Sequence, residues 1–174
     1  MVVDLAEILW RLLNTMGIKS TLSYVLDLDH LRRAIAECID GKYQILHLSC
    51  HGDEKGIALA DNHQPTWVEF AGAFQDMSAS PIALVMSSCC GASSGIGRAF
   101  EDQARHPRII FGSTDKLGFS QYAAAWAVLY YRFRTDGFKI SAAKTALEQI
   151  ADVVHSSFVY RRRDESTKRC LRYP

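Results

Sequence analysis

The chain has 174 residues, 48% of them hydrophobic, and a formal net charge of +1. That is enough chain for one domain with a real core, and too apolar a composition for disorder. The charge balance excludes a bulk field that would draw the protein to nucleic acid or to an anionic membrane.

At the start, "MVV" reads as the stub of a strand. "MVVDLAEILWRLL" is not a secretory leader, because Asp4 and Glu7 stand where a basic region and an unbroken apolar stretch belong. Leu5, Ile8, Leu9, Leu12, Leu13 and Met16 recur at helical spacing until Gly17 stops the run. "STLSYVLDL" is β-rich and predicts a strand. Asp27 caps a helix with Leu28, Leu31, Ile35 and Cys38 on one face, ended by Gly41. "YQILHLSC" predicts a buried strand with "HG" directly after it. "GIALADNHQP" follows as a short hairpin or loop.

Thr66 and Glu69 form a capping box before "WVEFAGAFQDM", a further helix. "PIALVMSS" is a continuous apolar run of the kind found inside parallel sheets. "IGRAFEDQAR" predicts a helix and "PRIIFGS" a strand. Two helices follow, "FSQYAAAWAVLYYRFRTDG" closed by Gly137, and "SAAKTALEQIADVV" with Ser141 as its cap. "SSFVYRRR" predicts a last strand, and the basic "RRRDESTKRCLRY" reads as a solvated tail. This alternation predicts an α/β fold in one domain, residues 1–174, with a mostly parallel sheet covered by helices on both faces. No run is apolar enough to span a bilayer. The five cysteines lack the spacing of a disulfide framework, so a reducing, cytoplasmic setting is expected.

The segment "SSCCGASSGIGRAF" supports two chemistries. Gly91, Gly95 and Gly97 have the spacing of the phosphate-binding turn of short-chain dehydrogenases. The context opposes that reading. The chain after Gly97 is too short for the further βα units of a dinucleotide fold. Tyr122, Tyr130, Tyr131, Tyr160 and Tyr173 lack a lysine four residues on. Asp115 has the spacing of a ribose-binding acid but follows polar Ser113 and Thr114.

The second chemistry is a thiol nucleophile, which needs a base and donors for an oxyanion. One strand delivers His51 and Gly52, and the next long strand delivers Cys89, Cys90 and Gly91. "HLSCHG" followed by "LVMSSCCG" resembles the caspase-type cysteine peptidases, most of all their bacterial CHAT branch. "GIALAD", "LYYRF" and "SAAKTAL" are similar to CHAT sequences too, so the likeness runs from about Gly17 to Val154. The resemblance implies a three-layer caspase-like sandwich and a cysteine endopeptidase acting on a protein or peptide.

In the implied mechanism Cys89 attacks, His51 is the acid/base, and the N–H groups of Gly52 and Cys89 form the oxyanion hole. Asp115 and Ser113, after the next strand, line the primary specificity pocket. A carboxylate there would pair with Lys or Arg of the substrate, and Asp53 is a second acidic candidate. The resemblance also implies bacterial signalling or defence, with a regulatory domain or partner protein as gate. No cofactor, metal, nucleic acid or membrane partner is expected.

The chain departs from the family pattern at Cys90, a second thiol beside the nucleophile, and at its missing or reduced leading strand, as in a domain cut from a longer protein. An inactive caspase-like scaffold is the alternative from another class. Cys50, His51, Cys89 and Cys90 as a zinc site is disfavoured, because adjacent donors do not easily converge on one ion. Cys38, Cys50 and His47 read as core.

Overall fold

The structure, a computed structural model, describes residues 5–174; the "MVV" segment and Asp4 lie outside the described residues. The elements in chain order are α1 (Leu5–Thr15), α2 (Leu28–Asp40), β1 (Ile45–Ser49), β2 (His51–Gly52), β3 (Ile57–Ala58), α3 (Trp67–Gly72), β4 (Ala83–Ser87), α4 (Ser94–Glu101), β5 (Ile109–Ser113), α5 (Phe119–Asp136), α6 (Ile140–Val154), β6 (Phe158–Arg163) and β7 (Cys170–Tyr173). The fold is α/β, with a mixed, mostly parallel five-stranded sheet in the order β1-β4-β5-β6-β7 and a separate two-stranded sheet, β2-β3.

The residues divide into two compact units. One holds the chain up to Ser23, Leu117–Phe158 and Pro174; the other holds Tyr24–Lys116 and Val159–Tyr173. In the second unit β1 pairs parallel with β4, and β4 with β5. All five residues of β4 are buried, which explains its unbroken apolar sequence. Leu48, Leu84, Met86 and Ile110 from the strands share one core with Leu31 and Ile35 of α2, and with Phe70, Ile96 and Phe100. Phe70, Phe74 and Phe100 meet edge to face at centroid distances of 5.6, 6.2 and 5.2 Å.

Local signals set the helix ends here. The Asp27 side chain accepts the His30 N–H at 2.7 Å to start α2. Thr66 and Glu69 close their capping box to start α3. In the first unit α1, α5 and α6 carry the buried residues, and Tyr122, Trp126 and Phe158 form one aromatic cluster. Gly137 ends α5 at φ 82°, a backbone conformation that favours glycine.

Three expectations are corrected. "STLSYVLDL" forms no strand. Its β-propensity finds no ladder partner, and Tyr24 and Leu26 are left exposed. The C-terminal "tail" is half of an antiparallel hairpin, with Tyr160 opposite Tyr173 and Arg163 opposite Cys170. Asp164 builds its turn by accepting the N–H groups of Ser166 and Thr167, both at 2.9 Å. Finally, α6 starts at Ile140 with Lys139 as its cap residue, not Ser141.

Candidate functional site

The ends of β1 and β4 lie side by side. Their last ladder pair is Ser49 with Ser87. The contact continues beyond the ladder, because the Cys50 N–H donates to the Ser87 carbonyl at 3.2 Å. His51 and Cys89 follow at matching positions along the two chains. Gly52 then lies against the second chain: a Cβ added to it would stand 3.0 Å from the Cys89 carbonyl oxygen and 3.2 Å from the Ser88 Cβ. A side chain there would require the neighbouring backbone to give by a few tenths of an ångström.

The backbone of Gly52 is oriented by the β2–β3 hairpin. The Asp53 N–H donates to the Gly56 carbonyl at 3.0 Å, so residues 53 and 56 form a hydrogen-bonded pair. Antiparallel ladders alternate, so Gly52 and Ile57 form the non-bonded pair next to it. The Ile57 N–H accordingly donates to the Pro65 carbonyl at 3.1 Å. The Gly52 N–H is thereby turned away from β3.

The hairpin turn is closed by Asp53. Its Oδ1 accepts the N–H of Lys55 at 2.7 Å and of Gly56 at 3.1 Å. These backbone bonds, with smaller help from the Lys55 and Lys116 charges, hold the Asp53 carboxyl below its ordinary value. Trp67 anchors the turn from α3 by donating from Nε1 to the Glu54 carbonyl at 3.1 Å. His51 is exposed on this hairpin.

On the other side β4 passes into a tight turn, residues 88–92. The Gly91 N–H donates to the Ser88 carbonyl at 3.0 Å, and the Ser93 N–H to the Cys90 carbonyl at 2.9 Å. The end of β5 fixes the turn from outside: Cys90 N–H donates to the Asp115 carbonyl at 3.2 Å, and Ala92 N–H to the Ser113 carbonyl at 2.9 Å. Cys90 is buried and left-handed, at φ 59°, a conformation that costs a non-glycine residue about 1 kcal/mol or more. Cys89 is half-buried.

The thiols differ in environment. Burial pushes Cys38 up to about 11. Burial, reinforced by Cys89, pushes Cys50 up to about 12. Burial, then the charges of Glu54 and Asp53 and the neighbouring Cys89, raises Cys90, with Lys116 opposing. These groups are held as thiols. His47, in β1, accepts or donates a 2.7 Å hydrogen bond with Ser87 Oγ according to its tautomer, and burial pushes its imidazole down to about 3.

Ser113 is fully buried, and its Oγ accepts the Asp115 N–H at 2.9 Å. It therefore supports the loop rather than presenting its hydroxyl at a surface. The Asp115 side chain is exposed, and its carbonyl holds the Cys90 turn.

The three glycines of the dinucleotide-like pattern each face the protein's own atoms. A Cβ would stand 2.6 Å from Ser88 Oγ at Gly91, 2.7 Å from Trp67 Cδ1 at Gly95, and 3.3 Å from Arg161 Nη1 at Gly97. Close packing accounts for them without a pyrophosphate. The described residues hold no group of three or more His, Cys, Asp or Glu side chains arranged to hold a metal ion. No described helix is long and apolar enough to cross a membrane.

Sequence reasoning missed the left-handed Cys90 and the buried Arg161, whose Nε donates to the Ala92 carbonyl at 2.7 Å. The signal for Arg161 was available: it continues the buried run Phe158, Val159, Tyr160 without a break. A thiol, an imidazole and an outward N–H at one sheet rim are the groups that acyl transfer by a cysteine requires. No protein-family model matches the chain, and the search of curated proteins gives no match.

Proposed function

We propose that the protein is a cysteine endopeptidase of the caspase type, similar to the CHAT branch, with Cys89 as nucleophile and His51 as acid/base. The observation that carries this reading is the approach of Gly52 to the Cys89 carbonyl at the ends of adjacent parallel strands. The α/β fold is compatible with the three-layer caspase-like sandwich that this family uses.

In the proposed reaction the Cys89 thiol gives its proton to His51 and the thiolate attacks the peptide carbonyl. The N–H groups of Gly52 and Cys89 stabilise the oxyanion, typically by 10²–10³ in rate for one donor. Collapse of the tetrahedral intermediate breaks the C–N bond, and His51 protonates the leaving amine. Water, deprotonated by His51, then hydrolyses the thioester and returns the Cys89 thiol. The exposed Asp115, with Asp53 as the second acidic candidate, favours Lys or Arg before the cut. A protein substrate in bacterial signalling or defence, released by a regulatory partner, fits the family resemblance.

Cleavage of a mixed peptide pool read by mass spectrometry tests the proposal. Wild-type protein cleaves after a restricted set of residues, and Cys89→Ala and His51→Ala each lower the rate by at least about 10³-fold. Persistence of the same cleavages in both variants assigns the activity elsewhere. A wild-type protein that cleaves nothing and whose Cys89 resists iodoacetamide is a scaffold instead.

A further inference from the structure

Arg161 is only 7% exposed, yet none of the ion pairs among the described residues involves it. The nearby acid Glu101 is engaged otherwise, its Oε1 accepting the Cys170 N–H at 2.9 Å. The guanidinium instead donates from Nε to the Ala92 carbonyl at 2.7 Å. Ala92 is fully buried, so no water replaces that donor. Its planar head lies along the first turn of α4, where a methyl group on Gly97 would come within 3.3 Å of Nη1 and 3.4 Å of Cδ. Burial holds the Arg161 guanidinium below its ordinary value, with Cys170 and Glu101 opposing the shift, and an apolar residue of similar volume would avoid that desolvation cost. The bond it makes is to the last residue of the Cys89 turn before the α4 cap.

We propose that Arg161 is a positioning residue for Cys89: its buried guanidinium holds the Ala92 carbonyl and so locks the turn that presents the thiol. The turn then has supports on two sides. The end of β5 takes its N–H groups through the Ser113 and Asp115 carbonyls, and β6 takes its terminal carbonyl through Arg161. Strand β6 thereby sets the position of a nucleophile borne by β4, although β5 lies between them in the sheet. The catalytic part of this inference rests on the peptidase reading; the structural part does not.

The test therefore combines two readouts on the full chain, using Arg161→Met, Arg161→Lys and Gly97→Ala. The first is hydrogen exchange at the Cys90 and Ala92 amides, which needs no activity. In Arg161→Met these amides exchange at least about tenfold faster while β4 amides do not change. Lys, which can still donate to the carbonyl, restores part of the protection. Gly97→Ala keeps the arginine but crowds its head, while gaining helix propensity; it speeds the same amides about threefold without lowering the melting temperature.

The second readout is kinetic. Arg161→Met lowers kcat about 10- to 100-fold with KM within about twofold, because the nucleophile is displaced and the binding surface is not. Wild-type exchange at Cys90 and Ala92 in folded Arg161→Met overturns the proposal; should that variant not fold, wild-type exchange in Gly97→Ala does so. Faster turn exchange with no peptidase activity in any form, wild type included, supports the lock and removes the peptidase reading instead. A loss confined to KM refutes the catalytic role.

Discussion

After β1 the chain runs directly into the short strand β2 and an open hairpin turn, whereas after β4 it coils at once into the buried turn 88–92. His51 therefore sits on an exposed ribbon held by the Asp53 turn and by Trp67. Cys89 sits on a loop held by β5 backbone and by a buried guanidinium. On the proposed reading, this rim would combine a base on an exposed hairpin with a nucleophile on a turn hydrogen-bonded from two sides. The proposed peptidase would then have more support at the attacking group, where geometry is most demanding, than at its base.

The hairpin side is broken most severely at Gly56. A Cβ there would stand 1.9 Å from the Pro65 carbonyl oxygen, so backbone must move. Gly56→Ala should cost about 3 kcal/mol by urea denaturation and, with β2 displaced, most of the cleavage activity. Gly52→Ala acts at the junction of the two sides. Its Cβ meets the Cys89 carbonyl at 3.0 Å, so steady-state kinetics should show kcat falling about 10²-fold at a stability cost near 1 kcal/mol.

The β4 side can be sharpened by pH. His47, bonded to Ser87, has an imidazole depressed to about 3 from 6.5 by burial. A depressed value contributes stability that is fully present above pH 6.5 and is lost as pH falls towards 3. Replacing His47 with Gln should flatten the acid limb of the stability curve by up to about 3 kcal/mol between pH 6.5 and 4, measured by denaturation at each pH. An unchanged limb would mean that His47 does not titrate with folding.

The smallest effect is expected at Cys90. Its thiol is buried and raised, so Cys90→Ala should cost under about 1 kcal/mol and leave cleavage intact. Alkylation at pH 7 followed by peptide mapping should show Cys89 as the main labelled thiol in both forms. Equal labelling of Cys90 in the native protein would contradict the contrast between the two residues.

Elements whose signal is local were legible. The Asp27 cap, the Thr66–Glu69 box and the Gly137 stop lie within a few residues of what they control. The apolar run of β4 announced a strand buried on both faces. The neighbouring placement of β1 and β4 was also expected from two apolar runs, and the structure pairs them in parallel with Ser49 opposite Ser87. Failures came where a partner decides. Residues 20–28 have strand propensity but no edge to join, and the basic C-terminus found one in β6. Ser113 looked like a pocket residue by position, and burial turned it into a support.

From the sequence alone came the helices in their order, the strands β1, β4, β5 and β6, the caps of α2 and α3, and the expectation of one imidazole and one thiol just beyond two long strands, because periodicity and capping act over a turn or two of chain. Only the tertiary structure decided that Gly52 meets the Cys89 carbonyl, that Cys90 takes a left-handed backbone, and that Arg161 reaches the Ala92 carbonyl. Those contacts join residues far apart in the chain, and they depend on strand register and close packing, which no local pattern encodes.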